Sequence, residues 1–274
     1  MLLALNLLLL GGAVLVLLGL VCDGIIIARF VPQPQLLVTP KPWGLRQLGL
    51  AVAVLAAVFL FSNAFYAALA LHRRQEITAL VPLIIPIELI LRLALLAGFD
   101  TYFRRKQIQI RSALGFDSLT PAKAIGWGTA FALAIFPPVG VLIFATNAFC
   151  QLLHITPSQQ PIVEFFLTTQ STPLLVTLVI FAVVVAPVFE EFFFRGFAYP
   201  ALKQRFGIAP ALLIVSAVFA LNHLHAPSLL PLFVLAIGLG LAYELTGSLL
   251  VPVVMHAVFN FVTVLQVFYQ RAHP

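Results

Sequence analysis

Residues 174–202 read LLVTLVIFAVVVAPVFEEFFFRGFAYPAL, a run whose only charged side chains are Glu190, Glu191 and Arg195. A helix needs ~20 mainly apolar residues to cross a hydrocarbon core ~30 Å thick. This stretch therefore reads as a membrane span that carries its charges inside rather than at its ends. Similar apolar runs lie at about 1–27, 48–71, 77–98, 124–152, 209–225, 229–246 and 249–269. Eight spans use up most of the 274 residues. The expected fold class is all-α, a polytopic transmembrane helical bundle of about eight spans.

Hydrophobic residues make up 62% of the chain and charged ones 9%, against about a quarter charged in an ordinary globular domain. That leaves no room for a sizeable soluble domain. The net charge of +6 does not point to nucleic acid, because the basic residues fall mostly in loops between apolar runs, as membrane topology requires. Cys22 and Cys150 lack metal or redox spacing and read as small apolar residues. Met1–Ile27 has no Lys or Arg ahead of its apolar run, unlike a cleaved signal, and is expected to be the first span.

Loops on alternate sides of the membrane differ in charge. Those after spans one, three and five hold Arg29, Lys41, Arg46, Arg104, Arg105, Lys106, Arg111, Lys123, Lys203 and Arg205; the other face holds Arg73, Arg74 and Arg271. Positive loops stay in the cytoplasm, so both termini are expected outside it. The connectors are Phe30–Trp43, His72–Arg74 and the charge-rich Asp100–Lys123. Near the end of the last, Thr120-Pro121 reads as an N-cap followed by proline at the first helical position. The chain divides into an N-terminal region, 1–123, of about three spans and a basic loop, and a bundle over 124–274 whose polar motifs lie in 174–274.

An ionisable residue inside a span costs about 2.5–3.5 kcal/mol on insertion scales, so each needs a partner or a purpose. Glu88 and Arg92 share a helix face and can neutralise each other, or contribute to a substrate groove. Glu191 and Arg195 have the same i,i+4 spacing, which leaves Glu190 as the spare carboxylate. In an apolar pocket Glu190 would acquire the pKa of a general base, although the acidic pair alone reads equally well as structural. His223, in FALNHLH, is alone in an apolar helix, where a hydrogen-bonded packing role is the commoner reading. His225 reads as a loop or interface residue. His256 and Asn260 share one face as two hydrogen-bond donors, an arrangement suited to an oxyanion. Measured from the cytoplasmic ends of their spans, Glu190 lies ~18 Å deep, His223 ~21 Å, His256 ~10 Å and Asn260 ~16 Å. This overlap favours one buried constellation.

Glu190-Glu191-x-x-x-Arg195, Phe219-x-x-x-His223 and His256-x-x-x-Asn260, in that order, resemble the CAAX protease and bacteriocin-processing (CPBP, or Abi) family of intramembrane proteases. Arg195-Gly196-Phe197 and Thr246-Gly247-Ser248-Leu249 leading to Pro252 are similar in phrasing. The likeness covers about the last hundred residues, and the first four spans carry no family signal. It implies an endopeptidase in which Glu190 and His223 activate a water, His256 and Asn260 donate to the oxyanion, and Glu191 and Arg195 support the site. The expected partners are membrane lipid and a peptide or lipidated protein substrate, either a prenylated CAAX-type protein or a leader peptide. The expected location is a bacterial inner membrane.

Two carboxylates and two histidines also suit zinc, with Glu190, His223 and His256 as the ligand set. The chain lacks a His-Glu-x-x-His pair, and the expectation is no cofactor. Two other classes remain open. One is a non-enzymatic membrane scaffold or bacteriocin-immunity protein that retains the polar network. The other is a transporter, against which the chain lacks an inverted repeat of interrupted helices.

Overall fold

Long apolar runs with few breakers satisfy their backbone groups internally only as helices, and the chain folds accordingly. The computed structural model describes residues 2–30, 37–73, 80–155 and 160–273. Arg74 lies outside the described residues. The helices are α1 (Leu2–Phe30), α2 (Leu45–Arg73), α3 (Val81–Arg105), the short turn α4 (Ile110–Ala113), α5 (Pro121–Leu152), α6 (Pro161–Thr168), α7 (Thr172–Ile180), α8 (Ala186–Glu191), α9 (Tyr199–Phe206), α10 (Ile208–Leu221), α11 (Leu229–Thr246) and α12 (Leu250–Ala272). No strand occurs among the described residues. Thr120 caps α5 as expected, its side chain accepting from the backbone N–H of Lys123 at 3.4 Å, with Pro121 opening the helix. Glu88 and Arg92 form the expected ion pair.

Among the described residues seven helices are long and apolar enough to cross a membrane, and the chain is an integral, multi-pass membrane protein. The exception is the run at 209–225, which is α-helical only over Ile208–Leu221. Its 14 residues rise ~21 Å, short of the ~30 Å core. The helix stops because Leu224 takes a left-handed φ of 49° and Pro227 follows. His223 therefore sits in the turn after α10 rather than within a span, and His225 lies in the loop beyond it.

α5 packs against α1 and α12, and α10 against α11. At the end rich in Lys and Arg, two connectors dock onto α9, α11 and α12. Trp43, 2% exposed, donates from its indole to the Phe197 carbonyl at 3.0 Å and stacks on the Phe197 ring at 5.4 Å. Lys203 reaches both the Val38 carbonyl at 2.7 Å and Glu244 at 2.6 Å. Burial lowers the pKa of nearby Lys41, and the positive charge of Lys203 lowers it further against the opposing pull of Glu244. In the second connector, Gly115 has φ +73°, and a Cβ there would lie 1.7 Å from the Gly247 carbonyl oxygen. Leu249 N–H donates to the Leu114 carbonyl at 3.1 Å beside it. Gly115→Ala is expected to destabilise the protein by about 1–3 kcal/mol through strain at that conformation, read as a lower unfolding temperature in detergent.

Candidate active site

The run from α7 to α9 is a single helical path widened twice. Phe181–Val185 and Phe192–Ala198 are π-helical, and each segment ends just before a proline, Pro187 or Pro200, that supplies no N–H to the ladder. Such widening re-aims side chains and is frequent at functional sites. Between the two lies α8, ending in Glu190 and Glu191.

Adjacent carboxylates diverge by about 100° on a helix, and here they part company. Glu191 turns inward and is fully buried, as is Arg195, whose Nη1 donates to Glu191 Oε1 at 2.9 Å. Arg195 Nη2 donates to the Ala236 carbonyl on α11 at 3.0 Å, and its guanidinium lies over the Phe219 ring at 4.7 Å. His256 Nδ1 meets the same Glu191 Oε1 at 2.8 Å. Because the carboxylate can only accept, Nδ1 carries the proton. Glu191 Oε2 and Arg195 Nε are buried without a hydrogen-bond partner among the described residues.

Glu190 instead faces a cavity of about 380 Å³ whose walls include Ser62, Glu88, Arg92, Phe189 and Asn222. The spare carboxylate therefore borders open space, and Asn222, next to His223, lines the same space. His223 Nδ1 bonds to the Phe219 carbonyl at 2.9 Å, so with the carbonyl as acceptor Nε2 carries the free lone pair. The Phe219 ring lies 4.9 Å from the His223 ring and 5.8 Å from the His256 ring. Asn260 donates to the Ala182 carbonyl in the first π segment at 2.8 Å. The shared face expected for His256 and Asn260 thus serves two different partners, Glu191 and Ala182.

Residues 172–262 match the family model described as type II CAAX prenyl endopeptidase Rce1-like. The match covers about a third of the chain and supports a CAAX-protease assignment for that stretch. No curated protein and no solved structure matches the chain. The matched stretch opens on the first residue of α7 and closes two residues after Asn260. It therefore holds Glu190, Glu191, Arg195, His223, His256 and Asn260, while α1 to α6 lie outside it.

The matched stretch also contains a polar cluster that spacing did not reveal. Glu244 on α11, 1% exposed, accepts from Tyr199 at 2.6 Å and from Lys203 at 2.6 Å. A lone acidic residue in an otherwise apolar helix was the available signal. As for metal, no group of three His, Cys, Asp or Glu among the described residues is placed to hold an ion. Glu190, His223 and His256 form no such group.

Proposed function

We propose that this chain is an intramembrane endopeptidase that hydrolyses a peptide bond of a membrane-associated substrate, a prenylated CAAX-type protein or a leader peptide. The observation that carries this reading is Glu190, which lies in the stretch matched by the CAAX-protease model and borders a cavity while its neighbour Glu191 is tied to Arg195 and His256. Glu190 takes a proton from water as the oxygen attacks the carbonyl carbon, and His223 Nε2 holds the same water as an acceptor. Asn260 and His256 donate to the developing oxyanion. For His256 the donor is Nε2–H of the doubly protonated ring, since Nδ1–H is already given to Glu191. The Glu190 carboxyl then passes its proton to the departing amine as the C–N bond breaks.

A second cavity, of about 370 Å³, shares Leu55, Val58, Leu91 and Leu95 with the first and is walled almost wholly by apolar side chains out to Gln47 and Tyr102. Such a space suits an apolar or lipid-bearing segment beside the reacting bond. Positive loops place the Lys203 and Arg205 end in the cytoplasm. Substrate then arrives from the cytoplasmic side or laterally from lipid, and crosslinking confined to the outer face would contradict this.

The scaffold or immunity alternative draws on His256, Asn260 and Arg195, all of which form hydrogen bonds within the protein. The purified protein, offered lipidated and unlipidated membrane peptides, separates the two readings. Proteolysis is expected from the wild type, with His223→Ala slower by about 10²–10⁴-fold. A folded wild type that cleaves none of them would favour the scaffold.

A further inference from the structure

The cavity in front of Glu190 is closed on its far side by α2 and α3, outside the matched stretch. Ser62, Glu88 and Arg92 line that wall. Tyr66 donates to Glu88 Oε1 at 3.3 Å, while Arg92 Nη1 reaches Glu88 Oε2 and, at 3.1 Å, the Glu88 carbonyl. The Arg92 guanidinium extends to the site helix, lying 4.9 Å from the Phe181 ring centroid and 5.6 Å from that of Phe189, the residue before Glu190. Its Nε is buried with no hydrogen-bond partner among the described residues. Two half-buried charges that merely neutralised each other would require neither a place in this cavity nor a reach to the site helix.

Charge decides what such a wall can hold. Glu88 and Arg92 cancel, so an ionised Glu190 leaves the cavity with one negative charge in excess, and an anionic ligand is disfavoured. A neutral peptide carbonyl is not. An extended peptide at membrane depth exposes backbone C=O groups that cost several kcal/mol each if unpaired, and a guanidinium offers five N–H donors in a planar fork.

We propose that Arg92 binds substrate, donating to a backbone carbonyl of the extended peptide next to the scissile bond while Glu88 and Tyr66 hold its side chain in place. The proposal rests on the endopeptidase reading and assigns a substrate-binding role to the N-terminal helices.

The test is the double variant Glu88→Gln/Arg92→Gln, which removes both charges together and leaves neither unpaired. KM for a peptide cleaved by the wild type is expected to rise about 10- to 100-fold, the worth of a charge-assisted hydrogen bond, with kcat and unfolding temperature near wild type. Arg92→Lys, which keeps the charge but loses the fork, is expected to fall between. An unchanged KM in the double variant would overturn the proposal, as would activity lost only in step with unfolding. If the wild type cleaves nothing, the endopeptidase reading fails separately. Binding of a fluorescent membrane peptide then decides the role of Arg92: a Kd raised to the same degree in the double variant upholds it, and an equal Kd ends it.

Discussion

Glu190→Gln is expected to lower kcat by about 10²–10⁴-fold, the usual contribution of a positioned general base, while leaving the unfolding temperature near that of the wild type. The two effects separate because Glu190 borders a cavity and Glu191, not Glu190, carries the buried hydrogen bonds to Arg195 and His256. The amide keeps the shape of the carboxyl group and cannot take the proton. Quantifying cleaved peptide by mass spectrometry alongside thermal unfolding checks both halves. Equal cleavage by Glu190→Gln would remove Glu190 as the base.

Glu191→Ala is expected to act in the opposite way, on the fold first. It strips the counter-charge from Arg195, which is fully buried, and removes the acceptor of His256 Nδ1. Breaking one side of a buried ion pair costs about 3–5 kcal/mol, because the remaining charge is left uncompensated. The double variant Glu191→Leu/Arg195→Met removes both charges and is expected to lose markedly less stability than the single one. Unfolding in detergent compares them; a double variant less stable than Glu191→Ala would show that the pair does more than cancel its own charges.

These expectations rest on features that the sequence discloses unevenly. The long spans are legible because the bilayer forces each apolar run into a helix, and the Glu191–Arg195 pair because i,i+4 spacing is a local property. The end of α10 is not legible from hydropathy, since Asn222 and His223 are followed by apolar Leu224, where the backbone turns left-handed. Nor is the bond between His256 and Glu191, whose partners lie 65 residues apart. The i,i+4 spacing of His256 and Asn260 correctly places them on one face, but spacing along one helix says nothing about what faces it. Glu244 escaped for the same reason, its partners Tyr199 and Lys203 being 45 and 41 residues away. Pro187 and Pro200 were visible signs of the two π segments, yet a proline alone does not say whether a helix will kink, break or widen.

The most direct measurement is cleavage of a membrane-anchored peptide by the purified protein before and after exhaustive treatment with a chelator. Water activated by Glu190 and His223 gives the same cut at the same rate in both samples, and Glu190→Gln is slower by the same factor of about 10²–10⁴ in each. Cleavage that disappears with the chelator and returns on adding zinc would contradict that mechanism.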